Sequence, residues 1–138
     1  YNKIDFYDDY AHHPTEIKVV LDGVSKVYEG YDKVCIFQPH RISRLKDLKK
    51  EFSFSFKNAD IVILCPIFTA GEKMKLGFNY INFAKQIIKN SKVKLFLKNY
   101  YNQLAKFLKK NMIGKKIVIG MGAGSISSWM RKLPDLIK

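Results

Sequence analysis

Two short segments hold all three histidines of this chain and two of its three arginines. His12 and His13 lie in DDYAHHPTEI, from Asp8 to Ile17, and His40, Arg41 and Arg44 lie in FQPHRISRL, from Phe37 to Leu45. Elsewhere positive charge comes almost wholly from lysine. A chain that defaults to lysine and turns to arginine at two positions three apart calls for a guanidinium there. Its planar fork of donors grips a carboxylate or phosphate in a way an ammonium cannot. Arg41 and Arg44 would share a face if a helix begins at that point. The plainer alternative is a surface pair bridged to Asp47 or Glu51.

The residues around these segments extend the chemistry. Asp8 and Asp9 can accept from ribose hydroxyls, bind a metal, or cap a helix. Tyr10 offers a phenol donor. Adjacent histidines do not converge easily on one ion, and no H-x-x-x-H or cysteine-rich spacing supports zinc. Hydrogen bonding to a substrate or a neighbouring domain is the favoured role for His12 and His13, and a metal hydrolase using both with the aspartates is the disfavoured reading. Farther along, GMGAGSIS (Gly120 to Ser127) places glycines between a strand and a helix. Glycines let backbone N–H groups approach an anion at a helix N-terminus. No acidic residue follows at the distance a nicotinamide site requires. Gly71, Glu72 and Lys73 lie on another loop, where Lys73 could reach a phosphate.

The elements that must position these residues alternate between strand and helix. Apolar runs at 4–7, 34–37, 60–65, 92–97 and 116–120 read as strands. Helical periodicity follows each. The first helix starts at Pro14 and presents Ile17, Val20, Leu21, Val24 and Val27. Later helices span about 43–52, 80–89 and 100–110, and the last runs from Ser125 to about Leu133, where Pro134 interrupts it. The expected fold class is α/β: a Rossmann-like, mostly parallel sheet with helices on both faces and about five βα units, in a single domain over residues 1–138. Ligands of such sheets sit outside the carboxyl ends of the strands. All four unusual segments follow strands, so all four are expected on one rim.

Composition narrows the class. The chain has 138 residues and is 47% hydrophobic, enough for a core and against disorder. No apolar run reaches the roughly 20 residues that span a bilayer. Cys35 and Cys65 lie in apolar runs and read as buried free thiols in a reducing cytoplasm. The net charge of +13 raises the alternative of a basic RNA- or nucleotide-binding module. That alternative needs stacking aromatics on the surface, whereas the aromatics here fall at core-facing periodicity. The lysines are spread along the whole chain and read mostly as solvated faces.

DDYAHHPTEI, FQPHR-x-S-R, AGEK and GAG-x-I, in this order, resemble the C-terminal domain of the Mur ligases, and among them the member acting on L-alanine. The resemblance covers essentially the whole chain. It implies a cytoplasmic, three-domain enzyme of peptidoglycan synthesis that joins L-alanine to UDP-N-acetylmuramate. An N-terminal domain would hold the UDP-sugar, and a central domain would hold ATP and Mg2+ through a P-loop. ATP would phosphorylate the muramoyl carboxylate, and the amine of L-alanine would attack the acyl phosphate. An aspartate of the Asp8–Asp9 pair would contact the ATP ribose. Tyr10, His12, His40, Arg41 and Arg44 would surround L-alanine and the muramoyl end, and Gly122, Ala123 and Gly124 would close that pocket. A murein-recycling ligase that takes a ready-made tripeptide is the near alternative. No G-x-G-K-[ST] motif is present, so the opening strand is expected to continue a longer chain, and these residues alone are expected to fold without ligase activity.

Overall fold

The computed structural model describes residues 3–67, 79–111, 113–122 and 124–137. They form strands and helices in strict alternation: β1 (Lys3–Asp9), α1 (Pro14–Val27), β2 (Asp32–Phe37), α2 (Ile42–Phe54), β3 (Ile61–Leu64), α3 (Tyr80–Ser91), β4 (Lys94–Leu97), α4 (Tyr101–Asn111), β5 (Lys115–Met121) and α5 (Ile126–Ile137). The five strands make one sheet in the order β1-β5-β2-β3-β4, every pair parallel. Parallel strands need crossovers, and the intervening helices supply them.

The helices divide between the two faces. Ile17 and Leu21 of α1, Phe52 of α2 and Phe83 and Ile87 of α3 pack with Cys35, Phe37, Val62 and Ile119 on one side. Leu104 and Leu108 of α4 and Ile126, Met130 and Leu133 of α5 pack with Val34, Ile36, Ile63 and Val118 on the other. Alternation along β2 sends Val34 and Ile36 one way and Cys35 and Phe37 the other, which is why the strand is apolar at successive positions. The first core centres on touching aromatic rings, with Phe37 at 5.6 Å from Phe52 and 5.3 Å from Phe56 between centroids. Ile17 and Leu21, one turn apart and fully buried, each stabilise the α1 docking by about 1.5–3 kcal/mol.

Three local expectations differ from the structure. Val27 does not pack inward but is exposed, because the last turn of α1 runs beside β1, at the sheet edge. Pro134 does not interrupt α5, which continues to Ile137. A proline costs one helical hydrogen bond, but less than one turn follows it and the preceding Leu133 is fully buried. β1 is longer than its apolar run, since it pairs with β5 as far as Asp9 opposite Met121. The aspartate pair therefore belongs to the strand tip, not to a loop.

The register fixes the rim. Asp9 aligns with Met121, Met121 with Phe37, Phe37 with Leu64, and Leu64 with Leu97, so the carboxyl ends of all five strands are level. The connections leaving this edge begin at Tyr10, Gln38, Cys65, Lys98 and Gly122. The segments singled out by their residue types thus start from a common edge. Gly71, Glu72 and Lys73 lie outside the described residues, as does Ala123.

Candidate functional site at the carboxyl rim

α1 and α2 lie side by side on one face, with both N-termini at the rim. Each is built for that placement. Pro14 at the first position of α1 has no N–H to leave unsatisfied. Glu16 then reaches back: its Oε1 accepts the main-chain N–H of His13 at 3.0 Å and of His12 at 3.3 Å. Burial pushes the Glu16 carboxyl up, but these two N–H donors and the adjacent imidazoles outweigh it and hold the group below its ordinary value. His13 is the N-cap of α1, so neither Asp8 nor Asp9 caps that helix. Tyr10 to His12 separate the aspartates from it.

The two aspartates point to opposite sides, as neighbours on a strand must. Asp9 Oδ1 accepts the N–H of Ala11 at 2.8 Å, closing the turn off β1 on the α1 side. Asp8 Oδ1 accepts from Ser127 Oγ of α5 at 3.5 Å on the other side.

The histidine and arginine segments meet. The His12 and His40 rings lie 5.8 Å apart in edge-on orientation, and His12 and His13 are 5.2 Å apart. Arg44 Nη1 donates to His40 Nδ1 at 2.9 Å and to the His40 carbonyl at 3.2 Å. A guanidinium has no acceptor, so His40 Nδ1 is the lone-pair nitrogen and Nε2 carries the proton. His12 Nδ1 sits 2.8 Å from the Tyr10 carbonyl. A carbonyl has no donor, so here Nδ1 carries the proton and Nε2 is the lone-pair nitrogen. A continuous path thus joins Tyr10, His12, His40 and Arg44 across the gap between two loops.

Arg41 behaves differently from the i, i+3 expectation. It is the N-cap of α2, not a residue within it, with φ at 69° and ψ at 132°. Positive φ is unfavourable for a side chain of this size. Its side chain is exposed and meets no carboxylate among the described residues. Neither arginine is bridged to Asp47 or Glu51 there. Tyr10 is also exposed, at 67%.

The glycine segment serves the scaffold. Gly122 is buried with φ at +145°, and its N–H donates to the Asp9 carbonyl at 3.3 Å. A Cβ there would lie 2.7 Å from the Gln38 carbonyl oxygen. Gln38 itself was not singled out by the sequence. It is buried, its Oε1 accepts the Ile126 N–H at 3.0 Å, and its Nε2 donates to Ser125 Oγ at 2.9 Å. The first turn of α5 thus already has an acceptor for one of its N–H groups. Gly124 lies in the same turn, half-buried.

Among the described residues, no three His, Cys, Asp or Glu side chains gather as a metal site. No described helix is long and apolar enough to cross a membrane. The core aromatics Phe37, Phe52, Phe56 and Phe83 are fully buried, so they offer no stacking surface to a nucleic acid.

The profile of the family described as Mur ligase, glutamate ligase domain, matches residues 1–124. This chain belongs to the Mur ligase family. A UDP-N-acetylmuramate–L-alanine ligase of Pelagibacter ubique (strain HTCC1062) is 69% identical over 137 residues, covering 99% of this Mur ligase chain and 30% of the relative. The enzyme of the same name from Ruthia magnifica is 35% identical over 136 residues, covering 99% of the chain and 28% of the relative. The chain thus spans under a third of the length of these relatives. In fold, the Mur ligase domain is similar to UDP-N-acetylmuramate-alanine ligase from Thermotoga maritima, with a TM-score of 0.73 at 24% identity, over 97% of this chain and 26% of that one. A murein peptide ligase from Psychrobacter arcticus gives 0.76 at 19% identity, over 99% and 28%. The α/β class and the parallel sheet expected from the sequence agree with these folds.

Proposed function

We propose that this domain is the amino-acid-binding, nucleotide-closing part of an ATP-dependent ligase that joins L-alanine to UDP-N-acetylmuramate. The observation that carries the reading is the 69% identity, over nearly the whole chain, to a relative named for that reaction. The rim chemistry supports it. Arg41 presents an exposed guanidinium suited to the carboxylate of alanine, and Arg44 anchors His40 beside it. Tyr10, His12 and His40 line the space between the two helix N-termini. The carboxylates of Asp8 and Asp9 at the tip of β1 are assigned to the ATP ribose as hydroxyl acceptors. Gly122 and Gly124 lie at the β5 end of the same rim, where backbone without side chains lets a ligand come close.

The division of labour follows from what is present. No P-loop motif occurs in the sequence, so ATP, Mg2+ and the UDP-sugar are held by further domains of the same enzyme, in the cytoplasm where both nucleotides are made. The muramoyl carboxylate takes the γ-phosphoryl group, and the resulting acyl phosphate presents an activated carbon to the amine of alanine. The domain's part is to position that amine and offset charge as the domains close, a contribution of orientation and electrostatics rather than covalent catalysis.

The test is ADP release by the full-length enzyme carrying this domain, with UDP-N-acetylmuramate and either L-alanine or a ready-made tripeptide. Alanine-dependent release is expected, with none from residues 1–138 alone. Preference for the tripeptide would move the protein to the recycling ligases. Alanine-dependent turnover by the domain alone would overturn the division of labour.

A further inference from the structure

We propose that His12 Nε2 is the proton acceptor for the incoming amine, and that the Tyr10 carbonyl and Glu16 set it up for that task. The proposal rests on the ligase reading above. The α-amino group of an amino acid is largely an ammonium near neutral pH and has no lone pair until it loses a proton. A base held at the rim beside the amine would take that proton before the C–N bond forms.

The geometry eliminates most of the candidates. His40 Nδ1 is engaged by Arg44, which fixes the proton on Nε2 and leaves that nitrogen a donor. Asp9 Oδ1 is taken by the Ala11 N–H, and Asp8 turns toward Ser127. Glu16 Oε1 already accepts two main-chain N–H groups. His12 has both a fixed proton position and an open nitrogen. Its Nδ1–H is pinned to the Tyr10 carbonyl at 2.8 Å, which leaves the lone pair on Nε2. No hydrogen bond or ion pair occupies Nε2 among the described residues, and the side chain is 28% exposed. The Glu16 carboxylate lies 3.8 Å from Nδ1, where it balances the charge of an imidazolium. The groups facing the ring are Glu16 and His13 from the start of α1, the Tyr10 carbonyl from the β1 tip, and His40 with Arg44 behind it from the β2–α2 connection.

The step balances as follows. The alanine ammonium gives one proton to His12 Nε2 and becomes a neutral amine. Its lone pair forms the C–N bond to the acyl carbon, giving a tetrahedral intermediate. The C–O bond to phosphate breaks, phosphate leaves with the electron pair, and the second nitrogen proton goes to that phosphate. Histidine then returns its proton to water.

The experiment uses the full-length ligase carrying this domain, with His12→Gln, His12→Ala and, as a neighbour control, His13→Gln. Hydroxylamine is a nucleophile that is already mostly unprotonated at neutral pH, so its capture of the acyl phosphate needs no base. For both His12 variants we expect kcat with alanine to fall about 100- to 1,000-fold and the alanine KM to change little. Hydroxamate formation should stay near the wild-type rate, and added imidazole should partly rescue His12→Ala. His13→Gln should behave like wild type. An unchanged kcat in His12→Gln, an effect confined to KM, or equal loss of the hydroxylamine reaction would overturn the role of His12. So would a larger loss in His13→Gln. A wild-type enzyme that forms neither alanyl product nor hydroxamate would overturn the ligase reading itself, and the role of His12 with it.

Discussion

At the scale of single residues, the site is organised by which nitrogen carries a proton. Arg44 and the Tyr10 carbonyl impose opposite tautomers on two imidazoles whose centroids are 5.8 Å apart. Glu16 fixes the first of them in space by holding the His12 and His13 main chain. Its carboxyl is held below the ordinary value of 4.5 in the folded state. The sign follows directly: the stabilisation is complete above the unfolded value and is lost as pH falls through the lower folded one. An NMR titration should therefore show an acid step, shared by the His12 and His13 amide resonances, with its midpoint below 4.5. Glu16→Gln should abolish that movement. Persistence of the transition in the variant would assign it to another carboxylate.

At the scale of elements, the rim depends on strand tips that are tied to one another. Gly122 donates to Asp9, Gln38 donates through its N–H to the Met121 carbonyl at 3.0 Å, and the Gln38 side chain holds the start of α5. β5 lies between β1 and β2, and its tip links the two segments that carry the site. Gly122→Ala combines an unfavourable φ with a 2.7 Å approach to a main-chain oxygen that has little room to move. It should lower stability by about 1–3 kcal/mol, read as a shifted urea midpoint with an unchanged slope. The same variant in the full-length enzyme should raise the alanine KM, because Asp9 and the turn into Tyr10 lose their anchor. A neutral outcome in both measurements would remove Gly122 from the support of the site.

At the scale of the whole molecule, the sheet separates two cores, and the thiols report on that separation. Cys35 packs on the α1–α3 side and Cys65 on the α4–α5 side, so they do not pair. Burial pushes the Cys65 thiol up to about 12 and that of Cys35 up as well. Both should resist an aromatic disulfide reagent in the folded protein and react only at the rate of global opening, with no dependence of stability on reductant. Rapid labelling of either under native conditions would mean that one helix layer opens by itself.

The alternation of apolar runs and amphipathic periods was enough to set the five βα units, their parallel sheet and the common rim. Each of those follows from local pattern and from the single handedness of crossover connections. The segments rich in histidine and arginine were legible for a related reason: unusual residue types clustered within a few positions stand out against a lysine-rich background. Glu16 was recoverable in principle, since an acidic residue three after the cap is a local signature of a helix start. Contacts between residues far apart in the chain were not legible. Gln38 finds its partners at Ser125 and Ile126 only after β5 inserts beside β2. The His12–His40 approach also depends on how α1 and α2 settle on the sheet. Sequence determines which groups are available at the rim through short-range pattern. Their spacing across the two loops is set by long-range packing, which no window of neighbouring residues encodes.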